Sequence, residues 1–384
     1  MRNVKTSRHQ TLRRLYEASI RDNAIERFME DFRQSLEQDA GSLADRWSVR
    51  ELFEQFVPEG REAVAMLRPT GGGGYQIRES AELVDTSQFA NILGQITYTA
   101  TLNGYNAPEL IGTQLVEVIP TVFSGERIPG VGRLGDDIDV VAEGGEYPNA
   151  IFGEEYVDTP ETIKRGLILN VTAEAIFFDR TGVLMSECGK TGERVGVNRE
   201  KRILDVVCGI VTVYRRNGAS AVATYQAENT ASNTLADFTS IDTVEQKFNT
   251  MTDPITGEPI SIDLDTILVP KALSNLAGRI MAANQTRSGT NSGNTQTYVP
   301  GNSVNANARV LTSQYVRQRT SNDTTWFAGR PREAFVYMEN WPLTVTQSGK
   351  DSEVGFTRDI VVRYKTSERG APTVRDRLKM VKCT

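Results

Sequence analysis

The 384-residue chain has 43 basic and 49 acidic side chains, a net charge of −6, and 39% hydrophobic residues. This composition is typical of folded globular proteins, and the length exceeds the ~100–200 residues usual for one domain, which predicts two lobes with extensions. No apolar run reaches the ~18 residues that a membrane helix needs, and the basic N-terminus lacks the apolar stretch of a secretory signal. We therefore expect a protein made in the cytoplasm without a membrane partner.

Few residues are suited to catalysis or metal binding. His9 is the only histidine, which excludes multi-histidine metal sites and leaves almost no material for a serine–histidine–aspartate triad. The three cysteines, Cys188, Cys208 and Cys383, are widely spaced and odd in number, which predicts free thiols and no zinc site. We therefore expect no catalytic residues, no metal and no cofactor, and no enzymatic activity.

The first 74 residues predict a helical arm that ends in a flexible linker. Apolar residues recur at three- and four-residue spacing over about 8–37, and a second amphipathic helix is predicted over about 42–57. Four glycines at 71–74 have maximal backbone freedom and mark the linker. The arm starts with basic residues and no acids, which fits contact with phosphate or an acidic protein surface and equally fits a solvated helix start.

Residues 126–161, which we call the excursion, contain ten acids against two arginines, together with six glycines and three prolines. A strand interrupted by Pro120 is predicted before the excursion over 115–123, and a return strand after it over 162–173. Loops longer than ~12–15 residues are uncommon in compact domains and are usually functional or disordered. We therefore predict a long two-stranded excursion that leaves the body and comes back.

The rest of the chain alternates helices, strands and polar loops. We predict a helix over about 197–215 that stops at Asn217-Gly218. An earlier start is the alternative, and Gly189, Gly192 and Gly196 disfavour it because glycine has a poor helix propensity. A polar, low-complexity segment over 284–308 predicts a surface loop. The other expected elements are helices over about 81–102, near 240–250 and after Pro270, and strands at 266–269, 334–337, 343–346, 360–364 and 378–381.

Three patterns resemble functional motifs, and each has a simpler structural explanation. Gly189-Lys190-Thr191 resembles the end of a phosphate-binding loop, but the motif requires glycine at position 184, where a leucine stands. Asp263 and Asp265 flank a leucine, the alternation expected at the start of a strand with one solvated face. Four acids of the excursion could hold a hard cation, but we favour solvated charges that select register between copies: Asp136, Asp137, Asp139 and Glu143.

The order of elements over about 105–384 resembles the major capsid proteins of tailed bacteriophages with the Hong Kong 97-type fold. The resemblance rests first on a strand, the acidic segment Val141-Ala142-Glu143-Gly144-Gly145-Glu146-Tyr147-Pro148, and a return strand that includes Lys164–Thr172. It continues with a spine-like helix and the Ile267-Leu268-Val269-Pro270 strand leading into a helix. The C-terminal part is Phe356-Thr357-Arg358-Asp359 followed by Val361-Val362-Arg363-Tyr364.

The resemblance implies an α+β fold with a peripheral domain, an axial domain, an extended loop and a helical N-terminal arm. The implied divisions are 1–74 for the arm and glycine linker, 75–125 for a connection and first strand, 126–161 for the extended loop, 162–263 for the peripheral domain with its long spine helix, 264–360 for the axial domain, and 361–384 for C-terminal strands that return to the body.

Three groups of contact residues follow from the same resemblance. The extended loop would contact a neighbouring subunit through Arg127, Arg133, Asp136, Asp137, Asp139, Glu143, Glu146 and Tyr147. The arm would act through Arg8, Arg13, Arg14, Phe28 and Phe32. A loop near the capsomer axis would present Asn291, Asn294 and Asn302. Some relatives crosslink a lysine of the extended loop, but the excursion has no lysine, so we expect no such crosslink from it.

The function implied is a structural capsid subunit that assembles as hexamers and pentamers into an icosahedral shell around double-stranded viral DNA. The DNA would be held without sequence specificity, and portal, scaffold or cement proteins could be further partners. The protein would be made in the host cytoplasm and located in the virion capsid. Two alternatives remain open at this point: an encapsulin-like nanocompartment shell, and a carboxylate- or metal-dependent enzyme that uses Asp263 and Asp265.

Overall fold

The computed structural model describes residues 50, 86–106, 108, 110–130, 141, 143, 155–178, 180–253, 257, 259–260, 262–282, 285–289, 296–300, 308–348 and 360–384. Contacts divide the chain into two compact units. Unit one comprises the ranges 1–109, 164–197 and 342–368, and unit two comprises 110–163, 198–341 and 369–384. The predicted arm helices and the glycine linker therefore lie outside the described residues, apart from Arg50.

Helices and strands both contribute to the described part. The α-helices in chain order are α1 (Thr86–Asn106), α2 (Gly112–Leu115), α3 (Ala173–Phe177), α4 (Thr181–Val207), α5 (Phe238–Asn249), α6 (Ser274–Met281), α7 (Gln314–Thr320) and α8 (Pro331–Ala334). Short 3-10 turns are formed by Ala227–Asn229, Lys271–Leu273 and Arg377–Lys379. None of the described helices is both long and apolar enough to cross a membrane.

The strands in chain order are β1 (Glu117–Pro120), β2 (Arg127–Pro129), β3 (Tyr156–Asp158), β4 (Ile163–Thr172), β5 (Thr230–Ala231), β6 (Thr266–Pro270), β7 (Gln285–Gly289), β8 (Gln296–Pro300), β9 (Arg309–Ser313), β10 (Trp326–Gly329), β11 (Phe335–Gln347), β12 (Ile360–Val374) and β13 (Met380–Cys383). They form sheets in the orders β1-β11-β12-β4 and β5-β13-β10-β6-β9 and the two-stranded pairs β2-β3 and β7-β8.

In unit one, α1 crosses the first part of α4 at a point where both backbones nearly touch. A Cβ atom added to Gly192 would overlap the carbonyl oxygen of Thr101 and lie 2.8 Å from the nitrogen of Tyr105. A Cβ added to Gly104 would likewise overlap the carbonyl oxygen of Gly189. Small residues allow helices to approach this closely because no side chain separates them. These glycines are therefore required by tertiary packing inside regular helices.

Unit two is organised around the five-stranded sheet and two apolar clusters. β6 is buried along its whole length and lies between β10, which is antiparallel to it, and β9, which is parallel to it. One cluster includes Leu204, Phe327 and Phe335, and the other includes Phe248 and Trp326. The indole nitrogen of Trp326 donates a hydrogen bond of 2.8 Å to the carbonyl of Asn233, so burial of the ring leaves its polar group satisfied.

The helix predicted over about 197–215 ends too late, and its earlier start, the alternative left open, is the one observed, because α4 begins at Thr181 and ends at Val207. Its early start reflects the close packing against α1, which outweighs the poor helix propensity of the glycines. It ends because Gly209 has φ +68° and a Cβ there would lie 2.6 Å from the ring of Tyr225, the left-handed conformation typical of a helix C-terminus. Asn217 and Gly218 instead form a later turn.

Most other predicted elements are confirmed with shifted bounds. The two short strands predicted at 334–337 and 343–346 are one strand, β11, which continues through Pro342. The polar segment 284–308, predicted as a surface loop, contains the antiparallel pair β7–β8, with Gln285 opposite Pro300 and Gly289 opposite Gln296. Backbone hydrogen bonds alone can order such a hairpin, since a ladder does not require apolar side chains.

Candidate assembly surface

The described ends of the excursion pair with each other in unit two as a short antiparallel ladder of β2 and β3, which we call the root. Arg127 is opposite Asp158 and Pro129 is opposite Tyr156. In the middle of the root, Ile128 and Val157 are opposite each other and are 6% and 1% exposed within the core that also contains Leu204. Both ends of the excursion are therefore anchored by buried apolar side chains, although the strands that pair lie inside the excursion and not over 115–123 and 162–173, where they were predicted.

A turn at 214–222 holds the root from its other side. Asp158 donates its backbone N–H to the carbonyl of Arg215 at 3.0 Å, and Asn217 donates its own to the carbonyl of Tyr156 at 2.9 Å. The side-chain oxygen of Asn217 accepts the N–H of Tyr156 at 3.0 Å. Asn217 has φ +50° and Gly218 has φ +73°, a left-handed region that asparagine and glycine tolerate best. The turn thus adds a third segment to the root.

Two ion pairs of unequal burial flank this ladder. Arg216 is paired with Glu155, whose side chain is 7% exposed. Burial opposes the charge of Arg216, but the hydrogen bond and charge of Glu155 outweigh it and raise the pKa of the guanidinium. Arg127 contacts Asp158 at 3.3 Å and lies 4.3 Å from the ring centre of Tyr156, but its side chain is 67% exposed. The inner pair is therefore the one that contributes to stability.

We expect Arg216→Ala to lower the free energy of unfolding by about 1–2 kcal/mol, because it leaves the buried carboxylate of Glu155 without its counter-charge. Arg127→Ala is the matched control, and its loss should be about 0.5 kcal/mol or less because the outer pair is exposed to solvent. Urea denaturation followed by tryptophan fluorescence measures both values. Equal losses of unfolding free energy in the two variants would show that the Arg216–Glu155 pair stabilises the fold no more than the exposed Arg127–Asp158 pair does.

Strand β4 follows the excursion in the sequence, and its first half is unusually exposed. All six residues from Ile163 to Ile168 are exposed, including Ile163, Leu167 and Ile168 with 54%, 42% and 60% of their surface accessible. Neighbouring apolar side chains that the described residues leave exposed can mark a protein interaction site. The strand was predicted from the sequence but its exposure was not. The spacing of apolar residues along a strand does not show which of its faces other parts of the protein cover.

The contact residues predicted from the sequence are only partly described. Arg127 lies in the root, as given above, and Glu143 is exposed in a turn. The remaining predicted contacts lie outside the described residues: Arg8, Arg13, Arg14, Phe28, Phe32, Arg133, Asp136, Asp137, Asp139, Glu146, Tyr147, Asn291, Asn294 and Asn302. Arg50 is the described member of the arm region, and it donates a hydrogen bond of 3.4 Å to the carbonyl of Phe177.

The sequence patterns that resemble a phosphate-binding loop and a catalytic carboxylate pair have structural roles. Lys190 and Thr191 lie inside α4, where they donate hydrogen bonds to the carboxylate and the carbonyl of Glu187, so no phosphate loop exists there. Asp263 is exposed and its carboxylate is 3.2 Å from Arg330, and the residues on either side, Ile262 and Leu264, are buried. Among the described residues no three carboxylate, histidine or cysteine side chains are placed to hold a metal ion.

The three cysteines are free, as predicted, and all are buried. Burial raises the pKa of both Cys188 and Cys383 to about 12, and it raises the pKa of Cys208 as well. The thiolate is the reactive form of cysteine. These thiols are therefore chemically inert parts of the core at neutral pH.

Comparison with known proteins decides the family. A sequence model of the family described as phage capsid protein matches residues 155–383, which is more than half of the chain. The chain belongs to this phage capsid protein family. It follows that this capsid protein is a structural component of the phage virion, forms the shell from many copies, and is not an enzyme. Family membership and the mixed architecture confirm the predicted α+β capsid fold of the Hong Kong 97 type.

Solved structures similar to this capsid protein are distant. One from Mycobacterium phage Bobi is 10% identical with a TM-score of 0.48, covering 84% of this chain and 97% of that chain. The capsid of cyanophage P-SCSP1u is 10% identical with a TM-score of 0.44, covering 70% and 86%. An encapsulin complex from Synechococcus elongatus is 10% identical with a TM-score of 0.41, covering 70% and 85%. No curated protein matches the sequence.

Proposed function

We propose that this capsid protein assembles as hexamers and pentamers into an icosahedral shell around double-stranded viral DNA, and that the excursion contacts a neighbouring copy. The observation that carries the proposal is the root. Its two strands are fixed by buried Ile128 and Val157 and by the turn at Asn217, so the body determines where the excursion leaves. An excursion with a fixed exit can reach the same place on each neighbour, as a closed lattice requires.

The domain assignments belong to the same proposal. Residues 126–161 are the extended loop, 162–263 the peripheral domain with α4 as its spine, 264–360 the axial domain, and 361–384 the returning strands. The segment 1–74 acts as an arm and 75–125 connects it to the first strand. In this arrangement Asn291, Asn294 and Asn302 face the capsomer axis, and Arg8, Arg13, Arg14, Phe28 and Phe32 attach the arm to the shell.

The remaining contact residues of the excursion are charged apart from one tyrosine. Arg127, Arg133, Asp136, Asp137, Asp139, Glu143, Glu146 and Tyr147 contact the adjacent copy in this proposal, where opposite charges select one register. Many weak contacts then add together when the lattice closes. The net charge of −6 fits a shell that releases its DNA, because a strongly basic lining would hold the phosphates through salt-dependent contacts. Synthesis takes place in the host cytoplasm, with portal, scaffold or cement proteins as further partners.

The test replaces residues 131–154 by a short glycine–serine turn that joins the two root strands. Electron microscopy of the purified unaltered chain should show closed shells, and the shortened chain should remain folded but dispersed. The control is Gln246→Ala, an exposed position on α5 outside the proposed contacts, and it should leave shell formation intact. Normal shells from the chain without 131–154 would contradict the role of the excursion. DNA protected from nuclease inside phage particles tests the cargo, and shells filled with an enzyme would favour a nanocompartment.

A further inference from the structure

The chain contains two Asn-Gly pairs, and their surroundings differ sharply. Asn103-Gly104 lies near the end of α1, whereas Asn217-Gly218 lies in the turn that holds the root. In such a pair the backbone nitrogen of glycine can attack the side-chain carbonyl carbon of asparagine and release the amide as ammonia, because glycine has no side chain to block the approach. Whether the attack takes place depends on how firmly the local backbone is held.

The turn at Asn217 exposes both partners of this reaction. Ala219 donates its N–H to the carbonyl of Arg216 at 2.9 Å, and φ is positive at both residues between them, as a type I′ β-turn requires. Asn217 and Gly218 are exposed, and the N–H of Gly218 donates no hydrogen bond to any described residue. The attacking nitrogen is therefore neither buried nor bonded to the described part of the chain.

One hydrogen bond restrains the side chain of Asn217. Its Oδ1 accepts the N–H of Tyr156 at 3.0 Å, and the amide must leave this partner if it is to turn towards Gly218. A single hydrogen bond between neutral groups contributes only enough free energy to slow such a movement about tenfold. The restraint therefore slows the reaction of Asn217 but does not prevent it.

The pair in α1 is held much more firmly. In an α-helix the N–H of each residue donates to the carbonyl four residues earlier, and a Cβ on Gly104 would overlap the carbonyl oxygen of Gly189 in α4. Attack on Asn103 therefore requires this part of α1 to unfold and to separate from α4. Opening a packed helix is far less favourable than breaking one hydrogen bond. Asn103 is thus an internal control, with the same two-residue sequence in the opposite environment.

We propose that Asn217 is a site of spontaneous deamidation. The nitrogen of Gly218 bonds to the side-chain carbon of Asn217, and its proton leaves with the amide nitrogen as ammonia, so that a five-membered succinimide ring forms. Water then opens the ring at either carbonyl, which leaves aspartate or isoaspartate and adds one negative charge. The reaction needs only water. The inference goes beyond the proposed function and does not depend on what the excursion contacts.

The modification weakens the hold of the turn on the root. Isoaspartate carries the main chain through the former side chain, which lengthens the turn by one carbon atom and misplaces the hydrogen bond from Ala219 to Arg216. The N–H of Asn217 donates to the carbonyl of Tyr156 at 2.9 Å, and its side chain accepts the N–H of the same tyrosine. Both bonds meet at the altered residue. A shell protein that stays in its particle therefore loosens at this turn as it ages.

The first experiment compares the two pairs in one sample of the full-length chain. The folded chain is kept at mildly alkaline pH, digested with pepsin at acid pH and analysed by mass spectrometry for conversion of amide to acid. Conversion should be at least about a hundredfold faster at Asn217 than at Asn103, and the chain unfolded in urea should convert at both. Equal rates in the folded chain, or conversion at neither residue when the unfolded chain converts, would overturn the inference.

The second experiment measures the consequence for the root. Hydrogen exchange at the amide of Tyr156 is recorded for fresh and aged chains, and it should become faster in proportion to the isoaspartate formed. Asn217→Asp is the control, because it keeps an acceptor oxygen and a carboxylate resists the attack, so its exchange should change little on ageing. Unchanged exchange in a fully converted sample would show that the turn does not hold Tyr156 through Asn217 and would contradict the assigned effect.

Discussion

Gly192→Ala is expected to lower the free energy of unfolding by about 2 kcal/mol, whereas Gly189→Ala, three residues earlier in the same helix, should raise it by about 0.5–1 kcal/mol. The added methyl group at Gly192 would overlap the backbone of Thr101 in α1. Overpacking costs ~1–3 kcal/mol, with the upper end expected because a backbone atom cannot rotate away. The gain in helix propensity, about 1 kcal/mol, offsets only part of this cost.

The control at Gly189 uses a position in α4 where an added Cβ atom has room. A Cβ there meets no atom within 4 Å, so alanine gains the propensity term without a clash. Thermal or urea unfolding of dissociated subunits, followed by circular dichroism, measures both variants. Stabilisation by both substitutions would show that α1 and α4 do not pack through Gly192, and destabilisation by both would show that Gly189 has a role other than the one assigned.

These glycines explain why α4 could not be predicted at its full length. In the sequence, Gly189, Gly192 and Gly196 lower local helix propensity, and the residues that compensate lie about ninety positions earlier, in α1. By contrast, β6 was predicted accurately, because Ile267-Leu268-Val269 is a continuous apolar run bounded by Pro270 and needs no distant information. Sequence patterns predict the bounds of an element correctly when residues within that element determine them. They fail for an element such as α4, whose start depends on contact with a distant helix.

The same distinction applies to the candidate assembly surface. The unusual composition of residues 126–161 was enough to predict an excursion, but its two strands were predicted over 115–123 and 162–173, and the pair β2–β3 inside the excursion was missed. The turn that holds this pair was also missed, since Asn217-Gly218 has the composition of a helix stop and its partner, Tyr156, is sixty-one residues away. The exposure of Leu167 and Ile168 could not be predicted either, because it depends on the position of β4 at the edge of the sheet.

Glu200→Leu is expected to lower the free energy of unfolding by about 3 kcal/mol, because Glu200 is a buried carboxylate that satisfies two backbone donors at the start of α2. Its two oxygens accept the N–H groups of Ile111 at 3.2 Å and Gly112 at 2.6 Å. Leucine has a similar size but accepts no hydrogen bond, and each buried donor left unsatisfied costs ~1–3 kcal/mol. Chemical denaturation at neutral pH measures the loss.

The pH dependence of Glu200 gives a sharper result, because burial and hydrogen bonding oppose each other there. Burial raises the pKa of Glu200 above its usual value of 4.5, and the N–H groups of Gly112 and Ile111 reduce that rise without cancelling it. The folded chain therefore holds this proton more tightly than the unfolded chain does. The stability gained from this tighter proton binding is fully present below pH 4.5, and it is lost as the pH rises through the raised pKa of Glu200.

Glu200→Gln separates the two effects, since glutamine cannot titrate and keeps one acceptor oxygen. We expect it to be less destabilising than leucine, and the stability of the unaltered chain relative to the glutamine variant should fall as pH rises from about 4 towards 8. Denaturation curves of both chains across this range measure the difference. A difference that grows with pH would mean that the hydrogen bonds from Ile111 and Gly112 favour the carboxylate more than burial disfavours it, and the assigned direction of the shift would be wrong.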